Sequence, residues 1–156
     1  MKIVIAADPS AIGLKDVIKQ HLEKLGHSIK DVGTTTNQEV DFFNAATRAC
    51  RVIQEGNAER GILFCGSGMG VAIVAGKHKG IFAACVESVF AARMCRSINN
   101  ANVLCLGAMI WGEWMAKDAV DVFLSTKHTE GLDEIREFLL KADKEVKSID
   151  EKTRKE

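Results

Sequence analysis

The 156-residue chain has a single proline, no tyrosine and no excess of either charge. Lysine and arginine together number 21, as do aspartate and glutamate, so no surplus positive charge is available to neutralise a nucleic-acid backbone. The apolar runs are far shorter than the roughly 20 residues that span a bilayer, and the N-terminus shows no signal-peptide pattern. These absences predict a cytoplasmic protein that binds neither nucleic acid nor membrane.

Cysteine is present, but in no pattern that is typical of disulfides or metal sites. The five cysteines are an odd number, lie far apart and include no C-x-x-C pair, and the four histidines are scattered. Disulfide scaffolds are denser in cysteine, and zinc sites need clustered ligands. We therefore expect no metal, and we expect most cysteines to be small core residues. Cys65 is the exception.

No Ser/Gly-rich linker divides the chain, and β-rich runs alternate with amphipathic stretches. The predicted strands are 2–7, 28–32, 61–65, 80–85 and 102–106, and the predicted helices are 11–25, 38–55, 69–77, 88–98 and 110–124. This alternation indicates right-handed βαβ units around a parallel sheet. We predict one three-layer α/β/α Rossmann-like domain with a five-stranded parallel sheet and a C-terminal helix over 132–146. The domain is expected to cover 1–146, and the charged tail 147–156 is expected to be frayed.

Ligands of such sheets bind beyond the carboxyl ends of the strands, where the chain holds a thiol and three alternating glycines. Cys65 ends the third predicted strand, and Gly66, Gly68 and Gly70 lead into a helix. Glycines let backbone amides approach a ligand, and a helix N-terminus favours negative charge. Together they would stabilise an oxyanion and lower the pKa of the thiol. A structural turn with a buried cysteine is the alternative interpretation.

Spacing excludes several named motifs for this loop. Strict alternation of the glycines does not fit G-x-G-x-x-G, and the loop lacks the G-K-[ST] ending of a Walker loop. A nucleophile elbow would need glycines where Cys65 and Met69 stand, and a phosphatase loop would need an arginine at Val71. A thiolate acting as a base beside an oxyanion hole is compatible with the sequence.

Two segments carry a family resemblance. The loop Phe-Cys-Gly-Ser-Gly-Met-Gly-Val over 64–71 and the stretch Arg-Ser-Ile-Asn-Asn-Ala-Asn-Val-Leu-Cys-Leu-Gly over 96–107 resemble the type B ribose-5-phosphate isomerases, which share a fold with the A and B subunits of galactose-6-phosphate isomerase. The resemblance covers about residues 2–140. It implies a cofactor-free isomerase of a phosphorylated pentose or hexose, of the ribose 5-phosphate type, acting through a cis-enediolate. It also implies a homodimer or homotetramer with active sites built from two subunits.

The resemblance assigns roles to individual positions. Cys65 is the general base, and Ser67 assists proton transfer at the substrate oxygens. The remaining positions bind substrate, through backbone amides in the loop and through side chains elsewhere: Asp8, Gly66, Gly68, Gly70, Val71, Asn99 and Arg136. Asp8 could instead only cap the helix that follows it, and Arg136 could be surface charge.

The chain departs from the ribose type at four positions. Ile98 stands where a ring-opening histidine is usual, and Pro9 replaces the histidine after Asp8. Met109 and Leu132 replace arginines that bind phosphate. The sequence here looks more like the B subunit of galactose-6-phosphate isomerase, which implies that a heteromeric partner completes the site. The other alternative is a sugar-phosphate-binding homologue that has lost activity.

Other groups could hold the anionic end of the substrate. Arg136, Lys127, His128 and Arg93 are the candidates. Trp111 and Trp114 are expected to lie in the core or at a subunit contact rather than to stack on a sugar.

Overall fold

Five parallel strands form the central sheet of the computed structural model, which describes residues 1–154. The strands are β1 (Lys2–Ala7), β2 (Ser28–Asp31), β3 (Arg60–Cys65), β4 (Ala83–Cys85) and β5 (Val103–Gly107). Their order is β2-β1-β3-β5-β4, and every neighbouring pair is parallel. The predicted five-stranded parallel sheet is therefore confirmed.

Within residues 1–154, six α-helices cover the two faces and one edge of the sheet. They are α1 (Ile12–Lys24), α2 (Phe42–Gln54), α3 (Met69–Ala75), α4 (Val89–Ser97), α5 (Glu113–Ser125) and α6 (Arg136–Thr153). Side chains of successive strand residues point to opposite faces, so β3 contributes Phe64 to one core and Leu63 to the other. The first core lies under α1, α4 and α5, and the second under α2 and α3. A parallel sheet buried on both faces is the Rossmann-like arrangement.

The C-terminal segment differs most from the sequence prediction. Residues 147–153 belong to α6 rather than to a frayed tail. Asp150 accepts the N–H of Gly80 at 2.7 Å, and Arg154 donates to the carbonyl oxygens of Gly76 and Lys77. A charged segment with little apolar surface is thus fixed by hydrogen bonds to loop backbone. Lys155 and Glu156, the end of the predicted tail, lie outside the described residues.

The sequence prediction places the starts of two other elements, β4 and α2, too early in the chain. β4 begins at Ala83 rather than at residue 80, because Gly80 adopts a positive φ of 73° that ends strand geometry there. Helix α2 begins at Phe42 rather than at residue 38, because Thr35 and Gln38 pair with each other across a tight turn. The remaining elements agree with the prediction to within about three residues.

The sheet has two functional ends. At the carboxyl edge, defined here as the ends of the strands from Ala7 to Gly107, the chain enters its helices. At the amino edge, defined as the starts of the strands from Lys2 to Val103, the chain leaves its helices and enters the next strand. Helix α6 packs against this edge. Within residues 1–154, no helix has the length and apolar content needed to span a bilayer.

Candidate active site

Cys65 lies at the carboxyl edge, as the last residue of the central strand β3. Its neighbour in register on β5 is Gly107. The residue is 6% exposed, and its Sγ accepts a hydrogen bond from the N–H of Gly68 at 3.2 Å. Cys65 is therefore packed in the second core, although the sequence analysis set it apart from the core cysteines, and its sulfur has one backbone donor.

The glycine loop lies directly on the end of β5. Gly68 has a φ of +77°, and a Cβ there would come within 2.9 Å of the carbonyl carbon of Leu106. A Cβ on Gly107 would lie 2.5 Å from the carbonyl carbon of Ser67. Glycine is required at both positions because backbone meets backbone without room for a side chain. This close approach fixes the loop relative to Cys65.

The loop presents free donors beside the thiol. Among residues 1–154, no acceptor takes the N–H of Gly66, Ser67, Gly70 or Val71. The hydroxyl oxygen of Ser67 accepts the N–H of Met69 at 3.3 Å. Converging backbone amides are the groups that stabilise an oxyanion. The arrangement can therefore hold negative charge on a ligand that lies next to the sulfur of Cys65.

Asp8 follows β1 and forms a small polar group with Ser10. Its Oδ1 accepts the N–H of Ser10 at 3.0 Å and the hydroxyl of Ser10 at 2.6 Å, so Asp8 caps the short 3₁₀ turn Pro9–Ala11. The hydroxyl oxygen of Ser10 lies 3.5 Å from where a Cβ of Gly66 would be. Asp8 has a structural role that leaves its second carboxylate oxygen available. Sequence reasoning missed Ser10, although its position two residues after Asp8 was a signal for an Asx turn.

The rim of the loop is apolar. Met109, where the ribose type has an arginine, places its Cε 3.0 Å from the position of a Gly66 Cβ and is 82% exposed. The ring of Phe42 lies 3.1 Å from the position of a Gly70 Cβ. Sequence reasoning missed Phe42 because it comes from the start of α2, far from the loop in the chain.

Asn99 and Arg136 are not brought to Cys65 in one chain. Asn99 follows α4 at the amino edge, where the side chain of the adjacent Asn100 donates to Asp143 of α6 at 3.2 Å. Arg136 begins α6, and the segment that leads into this helix bonds to the end of α4, from the N–H of Thr129 to the carbonyl oxygen of Ser97. The sequence-derived site residues therefore fall into two groups at opposite edges of the sheet.

The other cysteines have a different electrostatic environment. Burial raises the pKa of Cys50 and of Cys95 to about 11, and it raises the pKa of Cys105 well above its usual range. These three are core residues, as predicted. Cys85 is an exception to that prediction because it is exposed, at the end of β4 beside Gly68. Its pKa is raised by partial burial and by the neighbouring Cys65 and Glu87.

Trp111 is a core residue, and Trp114 is not. Trp111 is 5% exposed and donates its indole N–H to the carbonyl oxygen of Val86 at 2.9 Å. Trp114 is 85% exposed. Within residues 1–154, no group of three or more His, Cys, Asp or Glu side chains is placed to hold a metal ion.

Comparison with known proteins gives consistent results. The model of the Ribose/Galactose Isomerase family matches residues 3–138. A 4-deoxy-4-sulfo-D-erythrose isomerase of Clostridium sp. strain MSTE9 is 45% identical over 97% of this chain and 96% of that protein. A D-erythrulose-4-phosphate isomerase of Pectobacterium atrosepticum is 35% identical over 84% of this chain and 87% of that protein. Ribose-5-phosphate isomerase B of Clostridium thermocellum superposes with a TM-score of 0.89 at 33% identity, covering 98% of this chain and 99% of that one.

Proposed function

The chain belongs to the ribose/galactose isomerase family and is an aldose–ketose isomerase, and we propose that its substrate is a four-carbon open-chain sugar with a terminal sulfonate. One observation supports the catalytic part of this proposal: the Cys65 sulfur accepts a hydrogen bond from the Gly68 N–H at 3.2 Å, next to loop amides that have no acceptor among residues 1–154. That geometry supports a thiolate base next to an oxyanion site.

The four-carbon proposal starts from the two relatives whose names specify their sugars. One acts on 4-deoxy-4-sulfo-D-erythrose and the other on D-erythrulose 4-phosphate. A four-carbon aldose closes a five-membered ring only through its C4 hydroxyl. That hydroxyl is replaced in the first sugar and esterified in the second, so both sugars stay open. An enzyme for such a substrate needs no group that opens a ring.

The residues that replace the ribose-type histidine and arginines support this substrate. Ile98 stands where a ring-opening histidine is usual, and an open-chain sugar removes the need for that histidine. Met109 and Leu132 stand where arginines bind phosphate. A sulfonate has one negative charge, whereas a phosphate ester has close to two at neutral pH, so fewer cations are needed to hold it.

In the proposed reaction, the Cys65 thiolate removes the proton from C2 of the aldose. The electron pair moves into the C1–C2 bond, and the carbonyl oxygen at C1 becomes an enediolate oxygen held by loop amides of Gly66, Gly70 and Val71. Ser67 passes the hydroxyl proton between the two oxygens. The thiol then returns its proton to C1, which yields the ketose and regenerates the thiolate. Asp8 accepts a hydrogen bond from a substrate hydroxyl.

A second copy of the chain completes the site in this proposal. Asn99 and Arg136 lie at the amino edge of one chain, so they reach a substrate at Cys65 only from another subunit. Arg136 then binds the terminal anion, which is a charge-assisted contact. Lys127, His128 and Arg93 are alternatives for that contact.

Ribose 5-phosphate is the second candidate substrate. It is favoured by the close superposition on ribose-5-phosphate isomerase B of Clostridium thermocellum. A heteromeric partner, as in the galactose-6-phosphate isomerase interpretation, is the alternative to a second copy of this chain.

The deciding experiment measures kcat/KM of the purified chain on three substrates. We expect 4-deoxy-4-sulfo-D-erythrose to exceed D-erythrose 4-phosphate, and both to exceed ribose 5-phosphate by at least about 100-fold, since the furanose cannot be opened efficiently. Higher activity on ribose 5-phosphate would contradict the four-carbon proposal. Absence of activity on all three would support a binding homologue, or a partner-dependent enzyme if an A-type subunit restores turnover.

A further inference from the structure

A cavity of about 400 Å³ opens at the amino edge, at the opposite end of β3 from Cys65. Arg60 begins β3 and Cys65 ends it, so the two positions are about 17 Å apart along the strand. The cavity is lined mainly by cationic and amide side chains, together with backbone and two carboxylates: Arg60, Lys79, Gly80, Phe82, Arg96, Asn100, Asn102, Lys147, Asp150 and Glu151.

Arg96 is the central cation of this cavity and is only partly satisfied. It is 4% exposed, and its Nη1 donates to Oδ1 of Asn100 at 3.1 Å and to the carbonyl oxygen of Ala101. Within residues 1–154, its Nε and Nη2 have no acceptor. A guanidinium carries five N–H donors, and a buried donor left unpaired is costly. Arg96 therefore has unused donors at the wall of a cavity.

Arg60, which lines the same cavity, also has a guanidinium with an unpaired donor. Its Nη1 donates to the carbonyl oxygen of Glu59 at 2.8 Å, and its buried Nε has no acceptor among the described residues. Burial first, and then the positive charge of Arg60, lower the pKa of Arg96 to about 10, against the opposing effects of Cys95 and Asp143. Two guanidinium groups thus repel each other across a partly desolvated space. An anion between them would remove that repulsion.

The carboxylates of the cavity do not supply that anion. Asp150 already accepts from Gly80 at 2.7 Å and from Arg154 at 2.7 Å. Glu151 is exposed and forms no ion pair with another residue in 1–154. Lys147 is held by Asp143 at 2.7 Å, whereas Lys79 is exposed and has no ion pair among residues 1–154.

The wall of the cavity is held in position by its own hydrogen bonds. The side chain of Asn102 accepts the N–H of Phe82 at 2.8 Å and donates to the carbonyl oxygen of Gly80 at 2.8 Å. The loop that carries Lys79 is thereby fixed against the start of β5. A preformed wall reduces the ordering cost of binding a small ligand.

We propose that this amino-edge cavity is a second anion site, distinct from the catalytic loop, that binds a phosphate dianion between Arg60 and Arg96 with Lys79 at its mouth. Planar guanidinium groups match the oxygen geometry of phosphate and bind it with charge-assisted hydrogen bonds. The ligand class is inorganic phosphate or a phosphoryl group carried on a small molecule.

The test titrates the ¹⁵N-labelled full chain with inorganic phosphate and follows backbone amide shifts by NMR. We expect saturable shifts at Gly80, Asn100 and Asn102. Arg60→Gln should weaken phosphate binding at these amides by at least about tenfold, the loss expected for one charged hydrogen bond. The same variant should leave any shifts at the glycine loop, residues 66–71, unchanged. Arg96→Lys, which retains the positive charge but loses the paired N–H donors of the guanidinium, should also weaken phosphate binding.

Arg48→Gln is the matched control, because Arg48 is an exposed arginine on α2 outside this cavity. It should leave the phosphate affinity at all amides unchanged. Equal weakening by Arg48→Gln and Arg60→Gln would overturn the proposal, as would shifts confined to the glycine loop. A parallel titration with ribose 5-phosphate identifies the source. Saturation at Gly80 and Asn102 by the sugar ester supports a carried phosphoryl group, and saturation by inorganic phosphate alone supports the free ion.

Discussion

The two proposed anion sites, one at each edge of the sheet, are built from different groups. At the carboxyl edge, backbone amides and one thiol are held by glycines so tightly packed that a Cβ on Gly107 would lie 2.5 Å from Ser67. At the amino edge, long cationic side chains such as Arg96 are held by side-chain hydrogen bonds. The first arrangement is rigid and depends on the absence of side chains. The second depends on charge and on partners, so substitutions should affect the two edges by different mechanisms.

The largest expected effect is at the thiol. Cys65→Ala should lower kcat/KM by about 10²–10⁴-fold, because it removes the group proposed to carry the proton. The buried Cys95→Ala variant is the control and should retain activity within a few fold. Steady-state kinetics on the preferred substrate, with circular dichroism to verify folding, checks both. Retention of activity in folded Cys65→Ala would remove the thiol from the mechanism.

The second prediction tests whether the carboxyl edge of one copy of the chain and the amino edge of another form one active site. Arg136→Ala should raise KM by about 10–100-fold, since a charge-assisted contact to the anion is lost. A mixture of Cys65→Ala and Arg136→Ala chains, unfolded and refolded together, should recover up to about a quarter of wild-type activity if dimers form at random, because half of them are mixed and each mixed dimer has one intact site. Recovery no greater than the sum of the separate variants would show that Arg136 of one chain does not complete a site at Cys65 of another.

Stability distinguishes the crowded glycines from the uncrowded ones. Gly107→Ala should lower the free energy of unfolding by about 1–3 kcal/mol or more, because the added methyl group meets the backbone of Ser67. Gly13→Ala, on α1 with open space around it, should raise the free energy of unfolding by up to about 1 kcal/mol. Urea unfolding measures both. Equal stability of the two variants would contradict the close packing of the loop.

The smallest expected effect is the contribution of the buried thiols outside the glycine loop to the pH dependence of stability. The folded-state pKa of Cys50 and of Cys95 is about 11, against an ordinary value of 9.0. Folding therefore retains the proton more tightly, so their contribution to stability is complete below pH 9 and is lost as pH rises towards 11. Urea midpoints should fall over that range.

Alkylation with iodoacetamide at pH 8 should label the exposed Cys85 while Cys50, Cys95 and Cys105 stay unmodified. Substrate should protect Cys65 from labelling. Rapid native-state labelling of Cys50 would show that this face of the core opens readily.

The sequence was sufficient to predict the layers of the fold and the glycine turn after β3. It was insufficient to predict the tertiary contacts between segments that are distant in the chain. Consecutive buried residues such as Ile62, Leu63 and Phe64 indicate a strand covered on both faces, and the spacing of Gly66 and Gly68 indicates a tight turn between strand and helix; the anion-binding role of that turn stays a prediction. The contacts of Phe42 and Met109 with that turn arise from tertiary packing, which local periodicity does not encode. The helical end of α6 depends on Asp150 meeting Gly80, a contact between residues 70 positions apart.

The direct contact between Gly107 and Ser67 has a consequence for how substrate range can change in such a protein. The backbone of the loop cannot move away from Cys65 or spread apart without breaking the contact between the end of β5 and the segment after β3. If the proposed site is correct, adaptation to longer or more highly charged sugars would be confined to the rim, where the exposed Met109 can be exchanged for a cation. Under the proposed function, the main chain of the loop would hold the oxyanion beside Cys65, and selectivity would be left to side chains that can vary without refolding the sheet.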